Sequence, residues 1–520
     1  MDHLKRSMAI EVSLEHNTET TKEDRDADKW RLQRFLILGT ESGAYKADKK
    51  EFARKDVQCI HRLISQGRGP EIVETICQTN KLRGKGHRQP VLYALATCTR
   101  SEDPDTKEAA YGALQEVCPQ PKDLLKFVKY CEAVSQGTGW GRAQRRAISN
   151  WYNSFKDRPK ILAKGVTKIP NNTEWTHRDV CRLAHVKPES AFIMLIIRYI
   201  TKGLIAAKNL PSPVQSNDVQ QWKDIIRYFE AVEETKSFTG SMKVEDKLDI
   251  IRNHRLNPCQ LSTALNRSLD VWKVLLNHIP LGLVLKNILK VEKVPIDTPC
   301  LDRLKNVDEL QNVNVNPFEV MVAMKEAKKE DTKNSLEKAF EICVQNVTST
   351  NKKYSVVIWV GEEIDSDLEG KKTVTARDVI AAFAYTIAKR AHPDSEIVTY
   401  SGEEKQKLLI PNTGVLKYIS EEETLSDMNS DYKQLVHHVE KSKKSDVPFD
   451  AVVIVMYAQD EDFKRRLSTV FSDTGDFRVV LISLVPSDVP MKDHRNPYML
   501  DVLGFGANTT EAIMRFVEGK

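Results

Sequence analysis

Two stretches between Trp140 and Pro188 hold the residue types best suited to gripping phosphate. In the first, WGRAQRRAISNWYNSF, Ala143, Ala147, Ile148, Trp151 and Phe155 recur at helical spacing, while Arg142, Arg145, Arg146 and Asn150 fall largely on other sides. This spacing predicts an amphipathic helix with an aromatic buried face and a basic open one. The second, WTHRDVCRLAHVKP, opens with Thr176 and carries Asp179 three residues later, the signature of a capping box. Val180, Leu183 and Ala184 are then expected to face inward, with Arg178, Arg182 and His185 forming an outward stripe. Arginine and lysine hold phosphates by charge, and arginine adds paired hydrogen bonds. Two neighbouring helices with basic stripes therefore make a candidate nucleic-acid surface. The plain alternative is charge on solvated helices. A further basic group lies in the connector KLRGKGHR, with Lys81, Arg83, Lys85, His87 and Arg88. Its glycines permit close backbone approach to a phosphate, although most such loops are simple turns.

Other chemistries find little support. There is no G-x-S-x-G, no Walker A sequence and no H-E-x-x-H. His177, Cys181 and His185 stand at i, i+4 and i+8, but the outer two are roughly 12 Å apart along a helix axis. Such side chains do not converge on one ion with bonds of about 2 Å. The chain of 520 residues carries a formal charge of +5, which permits an anionic partner without requiring one. Its 9 cysteines show no C-x-x-C pattern, and the N-terminus lacks an apolar run fit for a signal peptide, so a reducing compartment is expected. Cys118, Cys131 and Cys181 sit among apolar residues and read as core. The apolar run at 192–197 is too short to span a membrane.

The elements that must position these residues fall into two textures. Residues 1–29 are polar and acidic and are expected to be flexible, with order starting near Trp30. From there to about residue 350 the chain reads as short helices with short connectors, suiting antiparallel pairs stacked as a solenoid. At Lys353 the texture changes. YSVVIWV, EIVTY, DAVVIVMY and FRVVLISLV read as strands, with QKLLI as a possible short one. TARDVIAAFAYTIAKRA, SDYKQLVHHVEKSKK, DFKRRLSTVF and NTTEAIMRFVEG read as the helices between and after them. Alternation of this kind predicts a parallel-rich sheet covered on both faces.

Several ordered pieces resemble the Ro 60 kDa autoantigen (Ro ribonucleoprotein) family over nearly the whole chain. They are RFLILGTESGAY, the GRG at 67–69, WGRAQRRAISNWY, the VTK at 166–168, and W-x-H-x-D-x-x-R-L-x-H-x-K-P from Trp175 to Pro188. YITKG at 199–203, HRL at 254–256, VWKVLL and LDVLGFGANTTEAIMRF complete the set. The resemblance implies a multidomain protein: an all-α ring of HEAT-like helical repeats over 30–350, followed by an α/β von Willebrand factor A-like (Rossmann-like) domain over 351–520. It also implies a non-enzymatic function. Members bind small structured Y RNAs on a basic outer surface and the 3′ ends of misfolded noncoding RNAs in a central hole, in RNA quality control or as a ribonucleoprotein scaffold. Cytoplasm and nucleus are the implied locations, with no membrane association. The implied RNA-binding residues are Arg142, Arg146, Trp175, His177, Arg178, Arg182, His185, Lys187 and Lys202, with Lys85 and Arg88 from the connector. Divalent metal is common in the family's second domain, yet here Trp359 stands where the first aspartate should be, and Gly361 and Glu363 replace two serines. No metal and no other cofactor is therefore expected. The other function class compatible with this architecture is a protein-interaction module, with the solenoid binding peptides and the A-like domain serving as an adaptor.

Overall fold

Proline marks where many of the helices begin. Pro90, Pro104, Pro121, Pro159 and Pro317 all occupy a first helical turn, where a missing N–H costs nothing. The computed structural model describes residues 22–519 except 42–43, 48–50, 84–87, 136, 138, 169–173, 214–215, 237–243, 295–299, 314, 360–361, 369–370, 402–403, 408–432, 445–447, 458–476, 486–495 and 497. The first half runs through α1 (Lys22–Leu38), strand β1 (Ala44–Lys46), α2 (Gln58–Ser65), α3 (Gly69–Arg83), α4 (Gln89–Thr99), α5 (Pro104–Gly112), α6 (Leu114–Val117) and α7 (Pro121–Val134). It continues with α8 (Arg142–Asn153), α9 (Pro159–Thr167), α10 (His177–Ala184), α11 (Ala191–Lys202), α12 (Leu204–Lys208), α13 (Ser216–Lys236) and α14 (Val244–His254). Short helices follow: α15 (Thr263–Arg267), α16 (Leu269–Leu275), α17 (Leu281–Leu285), α18 (Ile288–Val291), α19 (Cys300–Arg303) and α20 (Val307–Val313). Two longer ones, α21 (Pro317–Glu326) and α22 (Glu330–Asn346), end the helical region.

The second half is a sheet domain. It comprises β2 (Tyr354–Trp359), the small hairpin β3 (Asp367–Leu368) and β4 (Lys371–Thr375), α23 (Ala376–Arg390), β5 (Glu396–Ser401), β6 (Glu404–Lys407), α24 (Lys433–Lys444), β7 (Ala451–Met456), β8 (Arg478–Ser483), β9 (Met499–Leu503) and α25 (Thr509–Glu518). The strand order is β1-β9-β8-β7-β2-β5-β6, parallel throughout except for the β5–β6 pair. Alternation along each strand splits the core. Val356, Ile358, Val453 and Val455 join the cluster continuous with the helical half, whereas Val357, Val452, Ile454 and Tyr400 pack with Leu435 and Val439 of α24. The expected architecture is thus the observed one: a helical region followed by a parallel sheet domain.

Two boundaries differ from expectation. Order does not wait for Trp30, because α1 begins at Lys22, and Asp28 is buried with its carboxylate bound by Arg62 at 2.8 Å. The acidic composition that suggested flexibility includes this buried ion pair. Likewise, the unit expected over 30–350 is not wholly helical: β1 pairs in parallel with β9, Ala44 opposite Asp501. In the same region Arg34 of α1 donates to the Met499 carbonyl at 2.6 Å and lies between the rings of Trp30 and Phe516. At the other end of the helical region, Phe318 of α21 packs on Phe505, and Phe340 of α22 on Tyr385. Both ends of the helical path therefore meet at the sheet domain. The short strand covers Glu404–Lys407 and so takes in the first two residues of QKLLI; the rest of that run, residues 408–410, and the helix expected at DFKRRLSTVF lie outside the described residues.

Candidate nucleic-acid interface

Helix α8 buries Ile148, Trp151 and Tyr152, and the Trp151 indole N–H donates to the Cys118 carbonyl at 2.6 Å. The inward face is turned by one residue from expectation: Ala143 is exposed and Gln144 is buried. Arg142, Arg145, Arg146 and Asn150 remain open to solvent. Helix α10 forms the expected capping box, with the Asp179 N–H donating to Thr176 Oγ1 at 3.3 Å and the Thr176 N–H to the Asp179 carboxylate at 3.2 Å. Its buried face is His177, Val180, Cys181 and Ala184, whereas Leu183, expected inside, is 41% exposed.

The helix ends in an unusual way. His185 adopts the left-handed conformation, φ 48° and ψ 51°. Val186 N–H donates back to the Cys181 carbonyl at 3.3 Å, closing a Schellman turn normally given to glycine. Among the described residues only His185 and Arg255 combine a side chain with positive φ. The turn is then fastened to α8. Lys187 N–H donates to Ser149 Oγ at 3.2 Å, Asn153 Nδ2 donates to the Lys187 carbonyl at 3.0 Å, and Glu189 N–H donates to Asn153 Oδ1 at 3.1 Å. Arg142, Arg146, Ser149 and Asn153 are spaced by four, three and four residues, so they share a face of α8. The clamp thus sets the His185–Lys187 turn beside the arginine stripe.

Partnering sharpens the picture. Among the described residues Arg142, Arg145, Arg146, Arg178, Arg182 and Lys187 form no ion pair, while neighbouring surface lysines do: Lys129 with Glu174, Lys160 with Asp224 and Lys208 with Glu230, all within 3.0 Å. Cations left unpaired and close together on rigid helices are suited to an anionic partner.

Other residues in the expected set are placed differently. His177 is not a surface contact: it is 4% exposed, with Nδ1 2.7 Å from the Tyr152 hydroxyl, and burial lowers its pKa to about 3. It is a neutral link between α8 and α10. Trp175 is half-buried and packs against Trp140, with ring centroids 6.1 Å apart; Trp140 in turn donates to Glu132 at 2.8 Å. Lys202 is exposed at the far end of α11, about 17 Å from the start of that helix beside the His185 turn. Arg88 is an internal strut: it reaches Asp123 at 3.0 Å, Asn80 at 3.0 Å and the Val117 carbonyl at 2.6 Å. Lys85 and His87 lie outside the described residues, and Lys81 is paired with Glu116 at 3.2 Å. Ser149 and Asn153 were missed by reading types alone, yet their spacing from Arg142 and Arg146 was visible.

The sheet domain does not fit a metal at its expected place. At the carboxyl end of β2 stands the Trp359 indole, packed 6.1 Å from the Tyr400 ring, which offers no oxygen to a hard cation. Asp365 is held by both arms of Arg377, at 2.7 and 3.0 Å. No group of three His, Cys, Asp or Glu among the described residues is arranged to hold an ion. Gly361 and the Glu363 side chain lie outside the described residues. A serine–histidine pair does occur, with Ser355 Oγ 2.8 Å from His438 Nε2. However, Ser355 is fully buried, Glu396 accepts from the serine instead of orienting the imidazole, and the Tyr400 hydroxyl occupies Nδ1. These contacts knit the sheet together and leave no nucleophile open to a substrate.

A TROVE domain model matches residues 15–470. The chain belongs to the TROVE-domain, Ro ribonucleoprotein family. The TROVE chain is 23% identical to the RNA-binding protein RO60 of Caenorhabditis elegans over 95% of this chain and 88% of that one. It is 21% identical to the RNA-binding protein RO60 of Deinococcus radiodurans over 95% and 93%. The crystal structure of the Deinococcus radiodurans RO (RSR) protein superimposes with a TM-score of 0.76 at 20% identity, covering 95% of this chain and 99% of that one. That likeness establishes the shared fold.

Proposed function

We propose that this TROVE chain is a non-catalytic RNA-binding protein acting as a ribonucleoprotein scaffold. It binds small structured noncoding RNAs of the Y type on the basic face of α8 and α10. It also takes the 3′ ends of misfolded noncoding RNAs into the opening of its helical ring, in RNA quality control in cytoplasm and nucleus. One observation carries the reading: the Asn153 clamp brings the Arg142–Arg146 stripe and the Arg182–His185–Lys187 turn together, and none of those arginines or lysines has a carboxylate partner among the described residues. Fixed cations of this sort position a folded RNA through its phosphates, and a single-stranded tail is held by charge and stacking more than by base identity.

The test replaces Arg146, Arg182 and Lys187 together with glutamine, which changes charge with little change in helix propensity. Anisotropy titrations with a small stem-bulge RNA are expected to show affinity falling by about tenfold or more at low salt, with the gap between variant and wild type narrowing as salt rises. Wild-type affinity in a variant with wild-type circular dichroism would leave these residues as solvated surface and favour the protein-adaptor reading.

A further inference from the structure

Where the two ends of the helical region meet the sheet domain, they border an open cavity of about 1080 Å³. Its walls come from α3, α4 and α7 on one side, α21 and α22 on another, and α23 and α25 of the sheet domain on the third. No residue between Lys126 and Val315 lines it, so it is separate from the basic face of α8 and α10. Its volume matches that of small-molecule sites, which favour domain junctions.

Besides the carboxylates of Glu319 and Glu518 and the Arg515–Glu511 ion pair at 2.6 Å, three features of the lining bear on a ligand. Lys122 and Lys126 stand one turn apart on α7, and neither forms an ion pair among the described residues. The nearby carboxylate of Asp123 is already bound to Arg88 at 3.0 Å. Desolvation first, and then the like charges of Lys122 and Arg88, lower the Lys126 pKa against the pull of Asp123. Two like charges at this spacing destabilise a helix unless an anion joins them. Second, two residues that line the cavity carry unspent hydrogen-bonding atoms: Gln89 Oε1 and Arg88 Nε are shielded from solvent and have no hydrogen-bond partner. Third, Phe318 and Phe383 close on Phe505 at 5.5 and 5.8 Å, giving one wall an aromatic surface.

We infer that this cavity binds a phosphorylated small molecule of nucleotide size, its phosphate on Lys122 and Lys126 and its planar ring toward the phenylalanine wall. Because the walls belong to both halves of the molecule, bound ligand holds the sheet domain against the helical region.

The experiment uses the full chain, with adenosine monophosphate and inorganic phosphate as separate probes. Calorimetry and thermal melting are expected to show one nucleotide bound per chain with a raised melting temperature, and inorganic phosphate binding at least about tenfold more weakly. In Lys122→Gln/Lys126→Gln, nucleotide affinity is expected to fall by about tenfold or more, with affinity for structured RNA unchanged. Three results would each overturn the inference: no heat and no melting shift at millimolar nucleotide, equal binding of the two probes, or a double variant that loses RNA and nucleotide binding together. If the double variant folds poorly, Lys126→Gln alone carries the same comparison, since Lys126 is exposed.

Discussion

His177 and His185 are eight residues apart and have opposite fates. The buried His177 is held neutral, with its pKa lowered to about 3. A folded pKa below the unfolded value of about 6.5 means the unfolded chain takes up the proton first, so stability is full above that value and is lost as pH falls toward 3. Between pH 6.5 and 5 the loss from this one group is about 2 kcal/mol. Denaturant melts of His177→Phe at the two pH values should show a correspondingly flatter dependence than wild type; an unchanged slope would mean the imidazole titrates normally. His185 instead spends backbone energy at φ 48°. Glycine relieves that strain, so His185→Gly is expected to keep stability or raise it by about 1 kcal/mol while weakening structured-RNA binding several-fold. Stability and affinity moving down together would mark His185 as a simple cap. The sequence placed both histidines in one motif but could not say which was inside. The clue was phase: His177 shares the stripe of Val180, Cys181 and Ala184, whereas His185 falls after the helix ends. Arg88 gave no such clue, since its partners Asn80, Val117 and Asp123 come from separate segments.

At the scale of elements, the interface depends on two helices being locked rather than merely adjacent. Asn153→Ala removes one bond to the Lys187 carbonyl and one from the Glu189 N–H, both inside a half-buried joint. It is expected to cost about 1–3 kcal/mol in denaturant melts and to weaken RNA binding although every cation remains. RNA affinity equal to wild type would show that the joint does not set the geometry of the surface. The elements most readable in the sequence were those governed by local rules: the capping boxes at Thr176 and Thr375, the proline-started helices and the runs YSVVIW and AVVIVM. Strand β1 was hidden because three residues, Ala44–Lys46, carry no periodicity, and their partner lies at Asp501–Leu503. The small phase error in α8 has a similar cause, as Gln144 is polar but buried.

At the scale of the molecule, the two halves are not separable at residue 350. A fragment ending there keeps α8 and α10 but loses β9 beneath β1, the Met499 carbonyl beneath Arg34 and the Phe516 ring. Hydrogen exchange on such a fragment should show protection lost across residues 30–46 and largely retained over 142–186. Structured-RNA affinity should fall less than in the triple glutamine variant. Full protection of 30–46 without the sheet domain would mean the strand pairing contributes little to that region.

The pairing of β1 with β9 also constrains how the protein is made. More than four hundred residues separate Ala44 from Asp501. At synthesis rates of about 5–20 residues per second, β1 leaves the ribosome roughly 20–90 s before its partner exists. Throughout that interval the nascent chain carries a strand edge without its mate and the Arg34 guanidinium without its final seat. Closure therefore waits until Leu503 has been made, and chaperone capture is best sought on nascent chains stalled before it.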